Sequence, residues 1–224
     1  MNLTNKLLTI GVMTAVLAIG GIVQATPIYI GTAGADFNTL LGGLAAPAGS
    51  ALPTNFSGGN LSAEVISQAF TDGLGNYLYL YQLKNTGVVG NDVITRFTAS
   101  PYAQADNTIS LGYLTANIPA AFLLGDQAPL YGDVDAAAGP TVGFNFPVGN
   151  PIYGIPDSYI APTKMSKVLY VQSTLAPGLV TGNVINGGVH SGPIIGPVPE
   201  PATVTLLVMA GLGLLCYARR RRRS

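Results

Sequence analysis

The chain has 224 residues, and its 29 Gly and 16 Pro make up about a fifth of them, so long helices are not expected through most of its length. Charged residues are only 9% of the chain against 48% hydrophobic residues, and the formal net charge is zero, which argues against a disordered polyelectrolyte and against a nucleic-acid-binding protein. With one Cys and one His, the chain cannot build a disulfide framework, a Cys-based zinc site or most metalloenzyme centres, so no cofactor is expected.

Residues 1–25 have the three parts of a secretory signal peptide. Lys6 precedes an apolar run from Leu7 to Val23, and small residues then lead to Ala25. We expect the Sec machinery to engage this segment and signal peptidase to cleave after Ala25. The alternative is an uncleaved membrane helix, which the Gly20-Gly21 pair disfavours. Either interpretation sends the following residues across a membrane.

Residues 26–186 are predicted to form one domain outside the cytoplasm. The segment 26–198 carries four basic and nine acidic residues, a net charge of about −5, which favours solubility. Near its start, Ile28–Ile30 is typical of a first strand, and Asp36 can cap a short helix that ends near Leu41.

The clearest strand of this domain is Asn76–Lys84. Its odd positions include Tyr77, Tyr79 and Tyr81, and leucines occupy the even positions between them. Because both faces are mostly apolar, the pattern predicts a central strand of a packed sheet. The tyrosine row is either a packing ladder between neighbouring strands or, if exposed, a platform on which sugar rings stack.

Several further segments are strand candidates, each bounded by Gly, Pro or Asn. They are Leu61–Phe70, Asp92–Ala99, Thr108–Leu114, Thr141–Phe146, Lys167–Ser173 and Leu179–Ile185. Thr71–Asn76 is a turn-rich connection of hairpin length. Many short strands with hardly any helical periodicity predict an all-β chain. We expect an antiparallel β-sandwich ectodomain flanked by an N-terminal signal helix and a C-terminal single transmembrane helix.

Few residues of the domain are candidates for chemistry. Asp126, Asp133 and Asp135 are the densest group of oxygen ligands; they either bind calcium or are acids in solvated loops. The only histidine, His190, lies in a segment predicted to be flexible, where a general base lacks a fixed orientation. No catalytic residue is therefore assigned, although a hydrolase with a scattered pair of carboxylates stays open as a third interpretation.

Residues 187–197 contain Gly-Gly and Gly-Pro steps and are predicted to be a flexible stalk. Residues 202–218 carry no charge, and as a helix these 17 residues would span about 25 Å, near the minimum for crossing a bilayer. Five basic residues follow, and we expect them to stop transfer and to hold this end in the cytoplasm. They are Arg219, Arg220, Arg221, Arg222 and Arg223.

Between the predicted stalk and the predicted membrane helix stands the motif 198–203, in which Pro199 and Pro201 flank Glu200. The two prolines exclude helix and favour an extended chain, which is the shape that a protease cleft accepts. The motif, the apolar segment and the arginines, in this order, resemble the PEP-CTERM sorting signal of exported bacterial proteins over residues 198–224. An ordinary single-pass anchor is the alternative. A eukaryotic lipid-anchor signal matches less well, because it has no terminal basic cluster.

The resemblance implies that an exosortase, a membrane-embedded enzyme similar to cysteine transpeptidases, recognises Pro199, Glu200 and Pro201 and removes the tail. It also implies a Gram-negative bacterium that makes exopolysaccharide, and an inner-membrane precursor whose domain lies outside the cytoplasm. We therefore expect a non-enzymatic protein of the cell surface or extracellular matrix, structural or adhesive in an exopolysaccharide or biofilm layer, with exopolysaccharide as a further partner. The alternative function is a secreted carbohydrate-binding module.

Overall fold

The computed structural model describes residues 26–28, 34–43, 45–100, 102, 110–135 and 141–198. These residues are mostly β, which confirms the predicted class. The predicted signal helix and transmembrane helix lie outside them. The described strands are β1 Thr26–Ile28, β2 Ala35–Asp36, β3 Ala46–Pro47, β4 Leu52–Gly58, β5 Leu61–Thr71, β6 Tyr77–Asn85, β7 Arg96–Ser100, β8 Ser110–Ala116, β9 Tyr131–Asp135, β10 Thr141–Asn145, β11 Leu169–Ser173, β12 Pro177–Ile185 and β13 Val189–Pro197.

The strands form two sheets. The six-stranded sheet has the order β1-β9-β10-β7-β12-β13, and all of its pairs are antiparallel. The seven-stranded sheet has the order β2-β8-β11-β6-β5-β3, with β4 also beside β5. Its short β2–β8 pair is parallel, so this sheet is mixed rather than purely antiparallel.

The central position predicted for the tyrosine-rich strand is confirmed, because β6 lies between β11 and β5. Tyr79 and Tyr81 point into the core shared with the other sheet, and both are fully buried. Leu78 and Leu80 are equally buried on the opposite face, in a second cluster. Alternation with period two therefore places every one of these side chains in an apolar environment.

The main core contains residues of both sheets. Phe56 and Tyr81 contribute from the seven-stranded sheet, and Phe97, Phe144 and Ile194 contribute from the six-stranded sheet. The rings of Tyr81 and Phe97 lie 5.4 Å apart between centroids. Each fully buried side chain of this size contributes about 1.5–3 kcal/mol from burial. The two sheets are thus held face to face by one continuous apolar layer.

The second cluster covers the outer face of the seven-stranded sheet. It is closed by the short 3₁₀ segment Phe37–Gly43, whose Leu40 is buried there and whose Phe37 ring meets Phe70 edge-on at 5.1 Å. Asp36 caps the segment as expected, since its Oδ1 accepts a hydrogen bond from the Asn38 N–H at 2.8 Å. The segment stays short because its backbone leaves the helical conformation from Leu40 onward.

The flexible stalk predicted for residues 187–197 is corrected by the structure. Val189–Pro197 is strand β13, and it pairs with β12 over its full length, so the domain continues beyond its predicted end at residue 186. The glycines that indicated flexibility are positions of close approach instead. A side chain at Gly192 would meet Phe56, and one at Gly196 would meet Val180. Composition alone does not separate these two uses of glycine.

A buried hydroxyl pair in the core gives a test of the fold. The Tyr81 and Tyr102 oxygens share a hydrogen bond of 2.6 Å, and both side chains are fully buried. We expect Tyr81→Phe and Tyr102→Phe each to lower the free energy of unfolding by about 1–2 kcal/mol, because each variant strands the other hydroxyl. The double variant should lose less than the sum of the two.

Urea unfolding followed by tyrosine fluorescence measures these effects, because the chain has no Trp. Tyr170→Phe is the matched control, since Tyr170 is only partly buried, and it should change stability by less than about 0.5 kcal/mol. Additive losses in the double variant would contradict the buried pair.

Candidate functional site

The described fold ends at Val198, which is the first residue of the predicted processing motif 198–203. Pro197 pairs with Pro177 at the end of the β12–β13 hairpin. The Val198 N–H then donates to the carbonyl of Ala176 at 3.0 Å, and the Val198 side chain packs against the core. The fold is therefore fixed up to the residue that precedes Pro199. Most predicted site residues lie outside the described part of the chain: Ala25, Pro199, Glu200, Pro201, Arg219, Arg220, Arg221, Arg222 and Arg223.

The tyrosine row is not an exposed platform. Tyr79 and Tyr81 are fully buried, while Tyr77 at the end of the row is half-buried. The Tyr79 hydroxyl donates to the carbonyl of Leu175 at 2.5 Å. Burial raises the pKa of both Tyr79 and Tyr81 above the ordinary value of a tyrosine. Of the two interpretations of the row, packing is the one that the structure supports, with the difference that Tyr79 and Tyr81 pack in the core between the two sheets and not only against neighbouring strands.

Three acidic residues were suggested as calcium ligands, and the two whose side chains the structure describes, Asp126 and Asp133, each face a basic side chain. The Asp133 carboxylate accepts two hydrogen bonds from Arg96, at 2.5 and 2.6 Å, and one from the Asn145 side chain at 2.6 Å. Asp126 lies 3.7 Å from the Lys164 ammonium in an exposed pair. The Asp135 side chain is outside the described part. Among the described residues, no group of three or more His, Cys, Asp or Glu side chains could hold a metal ion.

His190 lies on β13, not on a flexible segment. Its Nε2 is 3.2 Å from the Asn186 side-chain oxygen, and its ring lies close to Gly58 at the β4–β5 turn. The ring is thus fixed against the fold by a neutral amide. An imidazole that acts as a general base is oriented by a partner and directed at a nucleophile. The contacts of His190 are those of a packing residue.

An open pocket of about 570 Å³ lies at one end of the seven-stranded sheet, and the sequence did not reveal it. Half-buried Tyr77 and the polar groups of Gln172 and Thr174 line it, together with the turn that follows β5. The turn itself was predicted. Thr39 and Thr174 also line the pocket, but both are far from this turn in the sequence. No local sequence pattern could therefore show that the fold brings them together with the turn.

Asp72 fixes the turn at the edge of this pocket. Its Oδ1 accepts hydrogen bonds from the Leu74 N–H at 2.7 Å and the Asn76 N–H at 3.1 Å, and its Oδ2 accepts from the Asn76 side chain at 2.6 Å. These bonds, with that of the Asn76 side chain foremost, hold the pKa of Asp72 below its ordinary value. The charge is therefore used to build the turn, which leaves Leu74 80% exposed at its tip.

No helix within the described ranges is long and apolar enough to cross a membrane. The segment predicted to do so, residues 202–218, is outside those ranges.

Comparison with known proteins identifies the end of the chain and not its body. Residues 197–223 match the family model described as the PEP-CTERM protein-sorting motif. A protein with this signal is exported, is targeted to an exosortase and is anchored in the membrane before processing. No curated protein and no solved structure matches the chain.

The engagement of Asp133 gives a prediction about calcium. Because Arg96 and Asn145 occupy its carboxylate, thermal melting of the purified protein should be the same with EDTA and with calcium at about 1 mM, the range of extracellular calcium modules. Asp133→Asn should lower the free energy of unfolding by about 2 kcal/mol, because it leaves a partly buried guanidinium without its anion. Asp126→Asn, in the exposed pair, is the matched control and should cost less than about 0.5 kcal/mol. If calcium raised the melting temperature of the wild-type protein but not that of Asp133→Asn, this account would be contradicted.

Proposed function

We propose that this chain, which carries a PEP-CTERM protein-sorting motif and is therefore an exosortase-targeted exported protein, serves as a non-enzymatic structural or adhesive component of an exopolysaccharide or biofilm layer. In this proposal the β-rich domain is a β-sandwich ectodomain whose final location is the cell surface or the extracellular matrix. The tail is a handle that exosortase removes.

The observation that carries this proposal is where the fold ends relative to the motif. The match begins at Pro197, which is the last residue of β13. Cleavage anywhere beyond Val198 therefore leaves every described strand and every described core residue in one piece. Delivery of a folded domain requires a tail that can be removed without loss of these residues.

The hydrogen bonds that cover one sheet edge support a role in which many copies of the protein lie close together. β13 is the edge of the six-stranded sheet, and such an edge can pair with other chains. Here Thr54 donates its hydroxyl to the carbonyl of Pro193 at 2.7 Å, and the Ile195 N–H donates to the Ser67 hydroxyl at 3.0 Å. The side chains of β4 and β5 thus occupy edge groups that would otherwise invite aggregation.

Exposed aliphatic side chains support an adhesive role. Val88 and Val89 are 69% and 90% exposed on the β6–β7 connection, and Leu123 and Leu124 are 61% and 71% exposed after β8. Single exposed aliphatic residues are ordinary, but two adjacent pairs on loops offer small apolar contacts to neighbouring molecules.

The sorting step is tested by changing the acid of the motif. Intact-mass spectrometry of the wild-type mature protein should show loss of the residues after the motif. Glu200→Gln should leave a precursor that still carries Arg219–Arg223, because the carboxylate between the two prolines is lost. The matched control is Glu64→Gln, on β5 opposite Lys84, which should be processed as the wild type is. A wild-type mature protein with the arginines intact would refute processing.

The matrix role is tested separately, in the same strains. The processed protein should fractionate with extracellular polysaccharide, and cells without the gene should form a less cohesive floc or biofilm. Equal cohesion with and without the gene would remove the structural role while leaving the sorting step intact.

A carbohydrate-binding module is the second candidate, and the pocket near Tyr77 is the observation that favours it. Its volume is in the usual range for a small ligand, and Tyr77, Gln172 and Thr174 line it, with the partly exposed Tyr77 side chain also packed against the main core. The aromatic face can stack on a sugar ring, and the amides can bind its hydroxyl groups. The fully buried Tyr79 and Tyr81 cannot serve in this way.

Glycan-array binding tests this candidate. Tyr77→Ala and Gln172→Ala should each weaken binding several-fold, because they remove the stacking ring and an amide at the pocket. Tyr131→Ala is the control, since Tyr131 is also half-buried but lies on β9 of the other sheet. An array without wild-type binding, or equal binding by Tyr77→Ala, would exclude a saccharide site here.

A further inference from the structure

Three chain segments meet at one end of the fold, which we call the exit end. They are the turn 72–76, the loop 174–176 and residues 197–198. Register joins the first two, because Tyr77 pairs with Thr71 on one side and with Ser173 on the other. Two hydrogen bonds join the loop to the core and to the chain exit: Tyr79 to Leu175, and Val198 to Ala176. The pocket lined by Leu74 and Thr174 therefore lies beside the point where the chain leaves the domain.

The tether between this end and the membrane is short. Only residues 199–201 separate Val198 from the apolar segment that begins at Ala202. Even fully extended, four residue steps reach about 14 Å. The polar headgroup layer on one side of a bilayer is itself roughly 5–8 Å thick. In the membrane-anchored precursor the exit end must therefore lie close to the membrane surface.

The same length limits how an enzyme can reach the motif. A membrane-embedded protease that binds Pro199, Glu200 and Pro201 in its cleft binds a segment that starts one peptide bond after Val198. Val198 cannot move away from the domain to lengthen this segment without breaking its hydrogen bond to Ala176 and leaving the core. Contact between the enzyme and the exit end is then a steric consequence of cleavage.

The chemistry of the exit end suits contact with a protein partner at a membrane surface. The acid that lines the pocket, Asp72, is tied to Asn76 and to the backbone of Leu74. The lining side chains that remain are hydroxyls, amides, one half-buried tyrosine and apolar groups, with Leu74 80% exposed at the rim. An exposed leucine beside uncharged polar groups can be covered by a protein partner, and the Asp72 carboxylate keeps its three hydrogen bonds from the turn when it is covered.

We propose that the exit end is a docking surface for the processing exosortase, and that Leu74 and Thr174 are its contact residues. The enzyme thus selects its substrate by this surface of the folded domain as well as by the motif. The inference rests on the proposed processing of the tail. It adds a second determinant of substrate recognition that lies outside the motif, since Leu74 is more than a hundred positions from Pro199 and Thr174 is 25 positions from it.

The test follows the conversion of full-length precursor to mature protein in cells that contain the enzyme. Leu74→Asp and Thr174→Asp should each slow conversion at least about fivefold, because they place a charge on the docking surface. Val189→Asp is the matched control. Val189 is 64% exposed, and it begins β13, about 26 Å from Pro197 at 3.3 Å per residue. It should be converted at the wild-type rate.

A spacer separates docking from folding defects. Eight Gly and Ser residues inserted between Val198 and Pro199 add up to about 28 Å of reach. With the spacer the enzyme no longer has to meet the exit end, so Leu74→Asp and the wild-type domain should be converted equally fast. If Leu74→Asp remains slow despite the spacer, its effect is on folding and the inference is overturned.

The outcomes also distinguish this inference from the function on which it rests. A wild-type chain that keeps Arg219–Arg223 in cells that contain the enzyme would overturn the proposed processing itself. A block in Glu200→Gln together with normal conversion of Leu74→Asp would overturn only the docking surface. If Leu74→Asp is converted normally but releases the precursor from vesicles of bacterial lipid more easily, the exit end contacts lipid rather than enzyme.

Discussion

The close approach of β13 to the seven-stranded sheet is the constraint on which the rest of the structure depends. β13 is the edge of its own sheet, yet Ile194 is fully buried in the shared core. This approach is possible because Gly192 faces Phe56 and Gly196 faces the Tyr81 hydroxyl without an intervening side chain. Without β13 the core would open along one side and β12 would become an exposed edge. The domain is therefore complete only when the chain is in place up to Val198.

The sequence was sufficient where the physical signal is local. β6 could be placed at the centre of a sheet because alternating tyrosines and leucines require two apolar faces. The turn after β5 and the cap at Asp36 follow from Asp and Gly chemistry within a few residues. The sorting motif belongs to the same class, since its prolines, apolar segment and arginines are contiguous, and the family match covers them.

The sequence was insufficient where the deciding partner is remote. β13 carries the Gly and Pro residues of a linker, and only the positions of Phe56 and Val180 show that its glycines serve packing. Asp133 belongs to a loop-like acidic group in the sequence, but Arg96, 37 residues away, determines its role. The pocket has the same cause, because residues 39, 72 and 174 come together only through sheet register.

Because residues 189–197 form strand β13 and not a flexible stalk, the position of the sorting motif depends on the position of the domain. A flexible stalk would let the motif enter an enzyme whatever domain it carried, because the linker would absorb any mismatch in position. Here the strand that ends at Pro197 and the anchored Val198 transmit the position of the fold directly to the motif. Three residues separate Val198 from the apolar segment, and two of them are prolines, whose rings fix φ. In the proposed processing, an enzyme that binds the motif is therefore within reach of the exit end, which is why recognition of the tail and recognition of the folded domain are proposed together.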